Sequence, residues 1–216
     1  RLLTRFINAQ GLRGTSLHVR HILSTNLMNL MKKVVGMWHL IDEFEQTIAD
    51  YAGAEYGVAI DSCTHALYMC GLYENLHTVT LPKQTYVSVP MQFRHLGCKI
   101  NYQDLPWTGA YGIGKNIVDS ACRFTAGMYL EETLYCLSFH HRKILSTVKG
   151  GMILTDNKDF VDWVRPLISD GRDRRKNYDD DRPIHIGYHF YMTPETAELG
   201  LKNFKNVKLD NPDHAD

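Results

Sequence analysis

Ser138-Phe139-His140-His141-Arg142-Lys143 closes an apolar, β-rich run that starts at Thr133. Gly150-Gly151 follows and opens a second apolar run, Met152-Ile153-Leu154-Thr155. Ser138 offers a hydroxyl, and Lys143, five residues on, offers a primary amine. On one turn, the first can hold a phosphate and the second can form an imine with an aldehyde. Pyridoxal phosphate (PLP) chemistry needs that pair, because the cofactor is held by its phosphate and by a Schiff base to lysine. A lysine after a strand is ordinarily a solvated surface group. The block therefore counts only with support from elsewhere in the chain.

PLP chemistry has three further requirements. A carboxylate must stay ionised beside the pyridine nitrogen, so that the protonated ring can take up electrons. Asp119 ends a short apolar strand, Ile117-Val118, where an ionised acid needs a cationic partner to offset desolvation. The same aspartate also reads as a helix cap or turn residue. A flat side chain should cover one face of the ring. Tyr86 suits that role, although a core aromatic is the plain reading in a chain with twelve tyrosines. The phosphate needs a helix N-terminus and hydroxyls. Thr64 stands at the first turn of a helix that follows a strand, where free N–H groups point outward. Simple capping by Ser62 or Thr64 would use the same amides.

These residues need elements to position them. Leu40, Ile41, Phe44, Ile48 and Tyr51 recur at helical spacing, with Asp42, Glu43, Glu45 and Gln46 facing away, and Gly53 stops the helix. Tyr56–Ile60 reads as a strand, and Ser62-Cys63-Thr64 opens a second helix carrying Ala66, Leu67, Met69 and Leu72. Thr78–Leu81, Lys99–Tyr102, Ile117–Asp119, Thr133–Phe139 and Met152–Thr155 read as strands, and Pro90–Leu96 as a helix. Asn157 is a candidate N-cap for a helix through Val161, Val164 and Ile168, and Thr193-Pro194-Glu195 starts the last helix. Alternating strands and helices predict an α/β fold, a three-layer α/β/α sandwich around a mainly parallel sheet. Ligands in such sheets sit at the carboxyl ends of strands. Thr64, Tyr86, Asp119, Ser138 and Lys143 all follow predicted strands, which argues for a single site. By this reading the chain divides into an N-terminal segment of unassigned structure (1–37), an α/β domain (38–209) and a polar, flexible tail (210–216).

Composition narrows the classes. The 216 residues are 44% hydrophobic with a formal net charge of zero, so the total charge favours neither nucleic acid nor a membrane surface. Five cysteines, odd in number and without a CxxC pair, read as reduced thiols in a cytoplasmic protein. No apolar run approaches membrane-spanning length. No metal site is assigned.

Taken together, the segments resemble the DegT-type (DegT/StrS) sugar-nucleotide aminotransferases, a branch of the fold-type-I PLP enzymes. Asp61-Ser62-Cys63-Thr64-His65-Ala66-Leu67 resembles the family's phosphate turn, and Leu81-Pro82 through Ser88 its ring-stacking segment. Val118-Asp119-Ser120-Ala121 resembles the strand bearing the pyridine-nitrogen aspartate. Ser138-Phe139-His140 with Lys143 and Gly150-Gly151 resembles the Schiff-base lysine block. Gly187-Tyr188-His189-Phe190-Tyr191-Met192-Thr193 resembles a loop that in the family reaches across a dimer interface to the partner's cofactor phosphate. The resemblance covers roughly residues 40–205.

The resemblance implies Lys143 and Asp119 as catalytic residues. It implies a cofactor-binding set of Cys63, Thr64, Tyr86, Asp119, Cys122, Ser138, His140, Lys143 and, across a homodimer, His189. It also implies aminotransfer on a small-molecule amine or amino-acid substrate. The chain departs from the pattern in four places, one of them Tyr191, where the family often has a basic residue. Cys63 stands for the turn glycine, where its side chain would crowd a phosphate. Cys122 stands where the family has glutamine or histidine, and His189 where it has asparagine. A further helix and strand between Tyr86 and Asp119, and most of the C-terminal small domain, are missing, as in a compacted core that a small or viral genome keeps. Two other functions stay open. One is a PLP-dependent decarboxylase or lyase on a large substrate, such as an amino-acid-modified nucleobase in phage DNA, with Arg172, Arg174, Arg175 and Lys176 touching phosphates. Against it, Asp179, Asp180 and Asp181 adjoin that cluster, and a mixed-charge run from Gly171 to Arg182 reads as a solvated loop. The other is a non-catalytic binding or dimerisation module on the same fold.

Overall fold

The computed structural model describes residues 38–174, 176, 181–183 and 185–214. The chain separates after His39, and the unit from Leu40 to Asp216 is the one described below. The N-terminal segment 1–37, together with Arg175, Asp179 and Asp180 of the charged run, lies outside the described residues.

The first helix, α1 (His39–Ala52), buries Ile41, Phe44, Ile48, Ala49 and Ala52 along one stripe. It ends where Gly53 takes a φ of +86° and returns its N–H to the Ala49 carbonyl at 2.9 Å. Then follow β1 (Tyr56–Ile60), α2 (Cys63–Tyr73), β2 (Thr78–Pro82), α3 (Ser88–His95) and β3 (Lys99–Gln103). Next come β4 (Tyr111–Ile113), β5 (Ile117–Asp119), β6 (Leu134–Ser138), β7 (Gly151–Thr155), α4 (Lys158–Leu167) and α5 (Pro194–Phe204). The predicted caps hold the helix starts. Ser62 Oγ accepts from His65 N at 3.2 Å, Asn157 Oδ1 from Phe160 N at 3.0 Å, and Thr193 Oγ1 from Thr196 N at 3.4 Å.

Five strands form one sheet in the order β1-β7-β6-β5-β4, and β2 and β3 pair separately in parallel. The large sheet is mixed. β6 pairs parallel with β5, whereas β1–β7, β7–β6 and β5–β4 are antiparallel. β1, β5 and β6 therefore share one direction. Their carboxyl ends lie at one edge, together with the amino end of β7, and Gly151 is in register with both Ile60 and Ser138.

Both faces of the sheet are covered. Val58, Ile60, Leu134, Cys136 and Ile153 join Ala66, Leu67 and Met69 of α2 and Phe160 and Val164 of α4 in one core. Their neighbours Ala59, Tyr135, Leu137, Met152 and Leu154 are equally buried, as the two-residue strand period requires. Phe139, just past β6, meets Phe44 of α1 edge-on at 5.3 Å. Gly200 of α5 sits so close to Phe44 that a Cβ would be 2.6 Å from its ring.

Two charged regions are more tightly held than their composition suggests. Glu45 is buried; its Oε1 accepts from Ala59 N at 2.9 Å and its Oε2 from Arg165 at 2.6 Å, which caps the open edge of β1. Arg174 reaches Asp42 at 2.9 Å and Glu45 at 3.4 Å, and Arg172 reaches the buried Asp181 at 2.9 Å. The described part of the run from Gly171 to Arg182 is thus tied by ion pairs instead of lying loose in solvent. The tail expected to be flexible is also anchored over residues 210–214. Asp213 pairs with Arg123 at 2.6 and 3.0 Å, and His214 N donates to the Cys122 carbonyl at 2.8 Å. No described helix is long and apolar enough to cross a membrane.

Candidate active site

A cavity of about 340 Å³ opens at the shared carboxyl edge of β1, β5 and β6. Cys63, Thr64, Tyr86, Asp119, Ser138, His140 and Lys143 line it. Seven of the nine predicted binding residues therefore meet in one place, brought from four separate stretches of chain.

The floor is the first turn of α2. Gly151 makes it possible, because a Cβ there would fall 2.4 Å from the Ser62 carbonyl carbon and 2.5 Å from Cys63 N. Only a hydrogen lets the helix start rest on β7. The first amides of α2 have no partners inside the helix, and Thr64 adds a hydroxyl that shares a 2.8 Å hydrogen bond with Ser88. Cys63 does not crowd this turn. Its thiol points inward to Asp119 Oδ1 at 3.9 Å. Burial, then the Asp119 charge, pushes that thiol well above its usual pKa, so it stays a neutral, weak donor. Beside the turn, Asp61 accepts from His65 at 2.7 Å and from Lys149 at 3.2 Å. The His65 ring stacks on Phe190 at 3.7 Å.

Asp119 is 4% exposed at the end of β5. Its Oδ1 accepts from Ala121 N at 3.0 Å and its Oδ2 from the Tyr111 hydroxyl at 2.9 Å. These donors favour the charged carboxylate and oppose the desolvation that would protonate it. Lys143 follows β6 on a loop whose N–H closes back to the His140 carbonyl at 2.9 Å, and its Nζ donates to Cys122 Sγ at 3.2 Å. Cys122, 2% exposed, thus touches the lysine from outside the cavity wall. Partial desolvation, then His141, Arg142 and Lys143, holds the His140 imidazole below its ordinary pKa. Tyr86 is 58% exposed at the rim. His189 is not in the cavity. It is 72% exposed on its side chain and pairs with Asp170 at 2.9 Å.

Sequence reasoning missed four contributors. Tyr111 holds Asp119 from behind, Thr85 bonds the Tyr111 hydroxyl, and Arg142 and Lys149 line the cavity as further cations. Arg142 stands inside the predicted block and Lys149 directly before Gly150-Gly151, both within a short window of sequence. Tyr111 lies on a three-residue strand too short to show a period.

An α/β sandwich with a lysine, a buried carboxylate and a helix N-terminus around one cavity at the strand ends is the frame of the fold-type-I PLP enzymes. The chain belongs to the DegT/DnrJ/EryC1/StrS aminotransferase family, whose model matches residues 26–107 and 129–212. The UDP-4-amino-4,6-dideoxy-N-acetyl-beta-L-altrosamine transaminase of Campylobacter jejuni is 22% identical over 79% of this chain and 57% of its own length. Among solved structures, the sugar aminotransferase CalS13 from Micromonospora echinospora superposes with a TM-score of 0.65 at 15% identity, over 78% of this chain and 60% of that one. A putative sugar aminotransferase from Streptococcus pneumoniae, in its PLP-form, gives 0.59 at 15% identity, over 78% and 59%. The chain spans somewhat over half the length of the relatives it matches.

Proposed function

We propose that this chain is the cofactor-binding core of a PLP-dependent aminotransferase acting on an amine or amino-acid substrate. The observation that carries the reading is the convergence of Lys143, Asp119 and the α2 N-terminus on one cavity. The residues fit PLP. A buried carboxylate with three donors faces the cavity, a helix start seated backbone-on-backbone supplies amides, and a primary amine stands between them. When bound, PLP supplies an aldehyde carbon for covalent attachment and a ring that withdraws electrons.

Each residue then has a defined task. Lys143 provides the amine for attachment and, once displaced, a base to carry a proton at Nζ. Asp119 holds a positive charge at the ring nitrogen. Thr64, Ser138 and the first amides of α2 bind the phosphate. Tyr86 covers one ring face and excludes water. His189, exposed and away from its own cavity, is available to a partner's phosphate in a homodimer. The relatives' names make nucleotide-linked sugars the first acceptors to try.

The decarboxylase or lyase reading on a modified nucleobase gave the arginine cluster to phosphate contacts. Arg172 and Arg174 are committed to Asp181, Asp42 and Glu45, which weakens the nucleic-acid substrate, and membership of an aminotransferase family favours transfer. The test is the absorbance of the protein with added PLP, for wild type and Lys143→Ala, before and after borohydride. A lysine-dependent band, with the cofactor fixed by reduction to the Lys143 peptide, is expected. No band, or a band indifferent to Lys143, would overturn the reading and favour a non-catalytic module.

A further inference from the structure

β4 carries a hydroxyl that reaches the site without entering it. Tyr111 Oη donates to Asp119 Oδ2 at 2.9 Å, and Thr85 Oγ1 lies 2.6 Å from the same Oη. Tyr111 is not among the residues that line the cavity. Burial, then the charge of Asp119, pushes the phenol far above its ordinary pKa, so Tyr111 keeps its proton. That proton is committed to the carboxylate, and Thr85 must therefore be the donor in the second bond. The order is Thr85 to Tyr111 to Asp119.

A second link runs beside the first. Trp107 Nε1 donates to the Gln84 carbonyl at 2.8 Å, and its indole packs on the Tyr111 ring at 4.7 Å. Gln84 and Thr85 immediately precede Tyr86, the exposed aromatic at the rim. Residues 107–111 thus grip both the carboxylate and the loop that presents the aromatic. The residues matched by the family model leave out 108–128, the stretch that holds Tyr111.

We propose that Tyr111 is a positioning residue that keeps the Asp119 carboxylate charged and aimed into the cavity, and that through Thr85 it ties the carboxylate's setting to the loop carrying Tyr86. This rests on the PLP reading. The Tyr111 hydrogen bond favours a charged carboxylate facing a charged ring nitrogen over a neutral pair in which the proton has moved to Asp119. The Cys63 thiol and the Ala121 N–H also reach Asp119, and the Lys143 amine lines the same cavity. Of these, the thiol is too weak a donor to replace the phenol.

The test titrates PLP into wild type, Tyr111→Phe and Thr85→Val. It reads the dissociation constant by equilibrium dialysis and the pH midpoint of the lysine-dependent absorbance band. Tyr111→Phe keeps the ring against Trp107 and removes one oxygen. It should weaken PLP about tenfold, the scale of one lost hydrogen bond to a charged group. It should also move the midpoint upward, because a less positive ring lets the lysine-linked nitrogen keep its proton to higher pH. Thr85→Val should shift both in the same direction by less. A folded Tyr111→Phe with both quantities unchanged overturns this inference alone. If Tyr111→Phe does not fold, Thr85→Val decides on the same two quantities. A wild-type protein with no lysine-dependent band overturns the PLP reading and this one together.

Discussion

Gly151 and Ser62 touch backbone to backbone, so that a Cβ on the glycine would lie 2.4 Å from the serine carbonyl carbon. The strand end and the helix start can yield only together. Gly151→Ala should cost about 1–3 kcal/mol in urea unfolding, the range for forced overpacking. It should also weaken PLP more than pyridoxal, which lacks the phosphate that we propose the α2 amides hold. Equal losses for the two ligands would mean the turn does not bind phosphate.

Glu45 satisfies a strand N–H and an arginine at once, from a buried position. Glu45→Ala leaves Arg165 and the Ala59 N–H without that partner, and we expect a loss of about 3–5 kcal/mol. Glu45→Gln keeps an acceptor for Ala59 and should cost less. Chemical denaturation of the two variants checks the order, and an Ala variant as stable as wild type would contradict it.

Asp61 gives a pH dependence of definite sign. Burial raises its pKa, but His65 and Lys149 outweigh burial and hold it below the ordinary value. A depressed folded-state pKa means that ionised Asp61 stabilises the protein above the unfolded pKa of about 3.9, and that this contribution fades as pH falls through the folded value. Wild type should exceed Asp61→Asn by about 1 kcal/mol at neutral pH. The gap should close below about pH 4. A gap that widens in acid would refute the assignment.

All five cysteines are free and buried. Buried thiols in apolar surroundings react slowly. Native protein should therefore show less than one fast-reacting thiol toward an aromatic disulfide reagent, and five after denaturation. Rapid loss of Cys63 or Cys122 would show that the cavity wall opens.

What could be read from the sequence was local. Ser62, Asn157 and Thr193 each bond a backbone N–H three residues on, and such caps leave a pattern in a short window. Lys143, Asp119, Ser138 and Thr64 were placed because each follows an apolar run, and the end of a strand is a location as well as a conformation. Distant pairings left no such pattern. Nothing near Glu45 announces Arg165, and nothing near Asp119 announces a tyrosine on a three-residue strand. Strand direction was also beyond reach, since an apolar run reads the same in either sense. The inward turn of Cys63 depends on Asp119, fifty-six residues away, so the expected clash with a phosphate was argued without the group that draws the thiol aside.

The pairing of β1 with β7 has a kinetic consequence. Ala59 is in register with Met152, so the chain must close a long loop before the first strand of the sheet finds its neighbour. Ser62 and Gly151 meet only when that closure is complete. Contacts so distant in sequence form slowly. In a refolding experiment, helical signal should recover first, and the capacity to take up cofactor should lag behind it. The cofactor would then serve as a reporter of the last step of folding.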